Sequence, residues 1–221
     1  LEDGLTSLLI HRSLRESEER YRLVFENSPV SIWEEDFSAV KVLLDDLKKQ
    51  GVTDIEAWLE RHPESVRQCA EAVKIVNVNP AALALFGAAG KAELLTGLVQ
   101  IFTPETFDTF RRALVCLWHG GTEMMADSVV KTLAGECREV SVYFCVCAGH
   151  EATLSKVIVS RIDITERKRN DAVNIARLHL IQFAETHSLD ELLEETLNAA
   201  EKLTHSRIGF YHFVEADQKT L

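Results

Sequence analysis

The chain has 221 residues, enough for one large domain or for one domain plus a fragment. Hydrophobic residues make up 46% and charged residues 27%, the balance of an ordinary globular protein. A net charge of −11 argues against nucleic acid or an anionic membrane surface as a main partner, because both require a basic face.

No apolar run approaches the ~18 residues of a membrane helix, and no signal peptide is visible. The chain opens at Leu1, so it is expected to be a piece of something larger, with an upstream membrane anchor left open. Five irregularly spaced cysteines without a C-x-x-C pair fit reduced thiols in a cytoplasmic setting. Cys145 and Cys147 would share a strand face, but they lack partners at metal-ligand spacing, and small packing residues are the plainer reading.

In chain order, a charged helix carrying Leu5, Leu8, Leu9, Leu14, Tyr21 and Phe25 is expected to stop at Asn27-Ser28-Pro29. Val30 to Phe37 reads as a first strand. Ser38 is placed to cap a helix whose Val40, Leu43, Leu44 and Leu47 are spaced i, i+3, i+4, i+7, closed by Lys48-Lys49 and Gly51. Asp54 can cap a short second helix, and Pro63 can open a third reaching about Ala72. Residues 38–72 therefore read as a small helical block between strands.

Ala72 to Asn79 returns to strand. Asn79-Pro80 and then Thr103-Pro104 each combine a cap with a proline at the first helical position. The second of these launches a helix with Phe107, Phe110, Leu114, Leu117 and Trp118 on one side. Three strands are expected next, at about 122–133, 137–147 and 154–162, spaced as an antiparallel meander. A helix from Asp163 to about Thr186 follows, then one opened by the Ser188/Glu191 capping box, and last a strand-like run from Arg207 to Val214.

This order resembles a PAS domain, and three phrases carry the resemblance: "SEERYRLVFENSPVSIW" (17–33), "VNVNPAALALFG" (76–87) and "DITERKR" (163–169). The fold expected from it is α+β: a PAS-like five-stranded antiparallel sheet with flanking helices, a helical insertion after the first strand and a C-terminal signalling helix. The divisions expected are an upstream connecting helix at 1–16, the PAS domain at 17–169 with residues 38–72 inserted, and a linker helix at 170–187. Residues 188–221 resemble the opening helix and first strand of a GAF domain. A lone strand leaves its backbone groups unpaired, so 207–214 is expected to join a sheet edge or another chain.

Asp163 and Glu166 have capping-box spacing, Thr165 could supplement the cap, and both acids suit the positive end of a helix dipole. Capping boxes are common, and a plain helix start is the reading without the resemblance. With it, Asp163, Thr165 and Glu166 are expected to couple the sheet to the exit helix. Val173, Ala176, Leu180 and Phe183 follow 3-4-3 spacing, while Ile175, Leu178 and Ile181 form a second apolar set. A homodimer through the 163–186 helix is the expected assembly.

No catalytic constellation is present. "FAETHSLDEL" lacks the acidic residue that a phosphoacceptor His187 would need beside it, and "GAAGKAELL" has neither the glycine spacing nor the hydroxyl residue of a phosphate loop. Flavin-binding PAS members carry an Asn-Cys-Arg phrase that does not occur here. Haem-binding members use a His near the long helix, where His119 stands beside Trp118. A His at that position also suits exposed helix carbonyls. The cofactor is therefore left unknown, with none expected ahead of haem, no metal site, and Trp118 and His119 as candidates for a small-molecule pocket. The resemblance implies a regulatory sensor module that is not itself an enzyme, expected in a cytoplasmic two-component phosphorelay as part of a sensor histidine kinase. The alternatives are a ligand-free dimerisation scaffold, or the sensor of a diguanylate cyclase or phosphodiesterase. No nucleic acid and no direct membrane contact are expected.

Overall fold

A computed structural model describes residues 2–210, and the chain divides into two compact units, Leu1–Ile164 and Thr165–Leu221. In the first unit, helix α1 (Glu2–Asn27) leads into strand β1 (Ser31–Asp36). Helices α2 (Ser38–Lys49), α3 (Ile55–Arg61) and α4 (Pro63–Ala72) separate β1 from β2 (Lys74–Val78). Then come α5 (Pro80–Phe86), α6 (Lys91–Leu94), a 3-10 turn (Leu98–Ile101) and α7 (Pro104–Trp118). The meander β3 (Glu123–Lys131), β4 (Cys137–Val146) and β5 (Val157–Asp163) completes the unit.

The five strands form one antiparallel sheet in the order β2-β1-β5-β4-β3, so the expected α+β architecture is present. The first strand is internal and lies against the last, with Ser31 opposite Arg161, Trp33 opposite Val159 and Glu35 opposite Val157. The β1–β2 register shifts between Glu34 and Glu35, an irregularity that bends β1 beside Glu35. One face of the sheet packs under the helices through Trp33, Phe37, Phe86, Phe102, Phe110 and Phe144. Trp33 meets Phe86 edge-on at 5.4 Å, and Phe37 meets Phe144 at 5.5 Å.

Most helix starts follow local chemistry. Asp54, Asn79 and Thr103 accept from backbone amides three residues on, and prolines follow the latter two. The cap expected at Ser38 is not one: Phe37 occupies the N-cap, and Asp36 Oδ1 accepts from the Ser38 amide at 2.8 Å. The last strand also starts three residues late. Leu154 adopts a left-handed conformation (φ 54°), and its carbonyl accepts from the Phe37 amide at 2.9 Å.

The inserted block is part of the core. Val40, Leu44, Ile55, Leu59, Val66 and Cys69 are buried in the same cluster as the sheet residues. Lys48 lies over the Trp118 ring at 4.9 Å and donates to the Trp118 carbonyl at 3.2 Å, which pins α2 to the end of α7.

Asn79 ties the N-terminal helix to the sheet. Its side-chain amide donates to the Phe25 carbonyl (3.2 Å) and the Val30 carbonyl (2.8 Å). Its oxygen accepts from the Ile32 amide (2.9 Å) and the Ala82 amide (3.0 Å). All four hydrogen-bonding positions of this fully buried side chain are used.

In the second unit, α8 (Thr165–Ala184) and α9 (Leu189–Thr204) pack together, with His179 Nε2 3.0 Å from Glu195 Oε1. The Ser188/Glu191 capping box forms as expected. Ala176, Leu180 and Phe183 on α8 are half-buried, whereas Ile175, Leu178 and Ile181 are exposed. His187 stacks on Phe183 at the end of α8, centroid to centroid 3.6 Å. Residues 207–210 carry no strand, and 211–214 lie outside the described residues. No helix among the described residues is long and apolar enough to cross a membrane.

Candidate functional site

Alternation along β1 turns Ser31, Trp33 and Glu35 inward, and Phe37 continues that face just past the strand end. Alternation along β5 turns Val157, Val159 and Arg161 inward. Two side chains of opposite charge therefore enter the core from adjacent strands. Arg161 lies opposite Ser31, two pairs along from Trp33–Val159, so its side chain must run over the indole to approach Glu35. Its guanidinium carbon lies 4.7 Å from the Trp33 ring centroid. Its Nη2 comes within 3.9 Å of Glu35 Oε1, an ion-pair distance too long for a hydrogen bond. The two side chains are 5% and 1% exposed.

Glu35 Oε1, Arg161 Nε and Arg161 Nη1 are buried without a hydrogen-bond partner in the protein. Each such atom costs about 1–3 kcal/mol when nothing satisfies it. Burial pushes the Glu35 carboxyl up to about 7, although Arg161 pulls the other way. Burial also lowers Arg161, with Glu35 opposing. Loss of hydration outweighs the mutual attraction for both partners.

The pair forms one end of a cavity of about 40 Å³. Phe37, Phe102, Phe110 and Phe144 make its apolar wall, and Thr106 and Thr109 add hydroxyls from α7. Both hydroxyls already donate, Thr106 to the Val129 carbonyl and Thr109 to the Glu105 carbonyl at 3.1 Å or Ser128 Oγ at 3.1 Å. Residues 38–72 contribute nothing to the lining, so the inserted block supports α7 from outside and does not cover the cavity.

Arg161 also borders a second, open cleft of about 370 Å³ at the end of β5, together with Pro29, Ala84, Arg138, Ile162 and Asp163. Here Arg138 Nη1 is 3.6 Å from Asp163 Oδ2 and Arg138 Nη2 is 2.9 Å from Glu136 Oε2. One residue, Arg161, thus lines both the Glu35 cavity and the cleft holding Asp163.

Of the residues singled out from the sequence, Asp163 ends β5, Thr165 begins α8 and Glu166 stands in the first turn of α8. Trp118 is buried beneath Lys48, and His119 is the exposed C-cap of α7. Neither lines the cavity, because the last turn of α7 runs past it. Glu35 and Arg161 were not singled out, although the period-2 pattern in "SIWEEDF" and "VIVSRID" places both on apolar faces. Among the described residues, no cluster of three or more His, Cys, Asp or Glu is arranged to hold a metal.

The family model for the PAS domain matches residues 19–117, from within α1 to the end of α7. No curated protein matches the chain. Among solved structures, the chain is similar to the PAS domain, in complex with ethanol, of a LuxR-family transcriptional regulator from Burkholderia thailandensis. The two are 16% identical with a TM-score of 0.40, over 65% of this chain and 96% of that one. A domain of a sensory box sensor histidine kinase/response regulator from Geobacter sulfurreducens is 16% identical with a TM-score of 0.43, over 68% and 96%. A Rhodobacter sphaeroides LOV protein is 13% identical with a TM-score of 0.46, over 87% and 94%. The resemblance to the PAS domain thus rests on the family match over residues 19–117.

Proposed function

We propose that this chain is the regulatory sensor module of a signal-transduction protein, and that a change at the Glu35–Arg161 cavity is passed along β5 into α8. The observation that carries this reading is the position of Arg161. Its side chain meets Glu35 inside the core, and its own strand ends two residues later at Asp163, just before α8 begins at Thr165. A strand that continues into a helix without an intervening loop transmits a displacement that a loop would absorb. Asp163, Thr165 and Glu166 are the proposed coupling residues, and a sensor histidine kinase is the proposed parent. Residues 188–221 are the proposed start of a GAF domain in that parent.

A second reading, a dimerisation scaffold that binds no ligand, is favoured by the exposed Ile175, Leu178 and Ile181 on α8. These three residues are also where a second copy would pack in a homodimer. In the full-length parent, Asp163→Ala is expected to leave folding intact while reducing the ratio of stimulated to basal output several-fold. Phosphoryl transfer, measured with and without stimulus, reads that ratio. An unchanged ratio in a folded variant would make Asp163 a structural residue and favour the scaffold.

A further inference from the structure

The reading of this unit as a sensor leaves open what enters the cavity, and the cavity constrains that on three counts. The first is size. At roughly 10–15 Å³ per water, a cavity of about 40 Å³ holds about three waters, or a molecule of three to four non-hydrogen atoms. The second is polarity. Arg161 Nε and Nη1 are donors without acceptors at one end, and four phenylalanines line the rest. A ligand matched to both ends carries acceptor oxygens on a short apolar stub.

Charge is the third constraint. Glu35 and Arg161 are the titratable side chains in the lining, and α7, the 3-10 turn, β3 and β4 contribute hydroxyl and apolar groups. Arg161 with ionised Glu35 sums to zero. A second carboxylate beside the same guanidinium would leave an uncompensated buried negative charge, unless one of the two acids is protonated.

We infer that this cavity takes a short-chain carboxylic acid of formate or acetate size, its carboxylate replacing Glu35 as the counter-ion of Arg161 while Glu35 accepts one proton from solvent. The balance is one carboxylate and one proton in, with no bond broken other than the one that released that proton. The protonated Glu35 then donates its O–H to the bound carboxylate, and the cavity stays neutral. The raised affinity of Glu35 for its proton lowers the cost of this exchange.

The test is titration of the purified chain with sodium acetate by calorimetry, in buffers of differing ionisation enthalpy, from pH 6 to pH 9. Saturable binding is expected, nearly constant below pH 7 and weakening about tenfold per unit above it, with uptake of about one proton per acetate there. Glu35→Gln should keep acetate binding but lose both the proton uptake and the weakening above pH 7. Arg161→Met, checked for folding by circular dichroism, should lose binding. Benzoate should not bind, because it exceeds the cavity. The inference is overturned if acetate does not saturate, if binding takes up no proton, or if Glu35→Gln leaves the pH profile unchanged. Calorimetry reads the site without reference to output. If acetate fails while Asp163→Ala still alters regulation, only this inference falls. If acetate binds as stated and regulation never responds to Asp163, it is the sensor reading that falls.

Discussion

Two buried polar clusters adjoin β1, one at its start and one centred on Glu35 near its end, and they are built on opposite terms. At Asn79, two donors meet two carbonyls and the oxygen meets two amides, so nothing is left over. At Glu35 and Arg161, a carboxyl and a guanidinium stand 3.9 Å apart with three polar atoms unanswered by the protein. A satisfied cluster fixes the relation of α1, β1 and α5. An unsatisfied one adds little to stability and keeps hydrogen-bonding capacity in reserve for something else.

The comparison breaks first at Asn79, if it breaks at all. Asn79→Ala removes the side-chain partner of the Ile32 amide and the Phe25 carbonyl, and leaves the Ala82 amide to the residue-79 carbonyl and the Val30 carbonyl to Ser28 Oγ; it is expected to cost about 3–5 kcal/mol in urea unfolding. A loss below about 1 kcal/mol would show that water replaces the knot freely.

Acid dependence sharpens the other side. The Glu35 carboxyl is raised from 4.5 to about 7, so the folded chain holds this proton more tightly than the unfolded chain. Its contribution is fully present below pH 4.5, declines between pH 4.5 and 7, and is lost above about 7. Against Glu35→Gln, whose side chain stays neutral, wild type should lose about 3 kcal/mol of relative stability across that window. Paired unfolding curves at pH 4.5 and pH 8 measure it, and a constant difference would mean that Glu35 stays ionised throughout.

The smallest effect is expected from removing the whole pair. Glu35→Leu combined with Arg161→Met should lie within about 1 kcal/mol of wild type by thermal or chemical unfolding, since apolar isosteres avoid the hydration cost. A large loss would place the pair with Asn79 as a structural element.

What could be read in the sequence was mostly local. Asn79, Thr103 and Ser188 cap their helices as spacing indicates, because a cap involves atoms only three residues apart. Ser38 misled because Asp36, two residues earlier, accepts from the Ser38 amide and sets a turn that puts Phe37 at the N-cap and Ser38 inside the helix. The amphipathic stripe of residues 38–72 showed that the block packs, but its destination against α7 depends on contacts far along the chain. The cavity was legible in part. Alternation marks Glu35 and Arg161 as inward-facing, yet only the pairing of β1 with β5 brings them together, and no local signal encodes that neighbour relation. Trp118 and His119 drew attention by residue type, while the cavity draws on a different stretch of α7.

That same pairing has a consequence for how the molecule is made. Since the first strand is completed by the last, a nascent chain emerging from the ribosome carries β1 with one free edge until β5 has been synthesised. Local helices and the β3–β4 hairpin can form early, but the β1–β5 seam closes the longest loop in the sheet and is the late, slow event. The cavity wall, the seating of Arg161 on Trp33 and the point from which α8 departs are all set in that closing step. Chains cut short before β5 would lack Val159 and Arg161 of the cavity wall as well as the whole of α8.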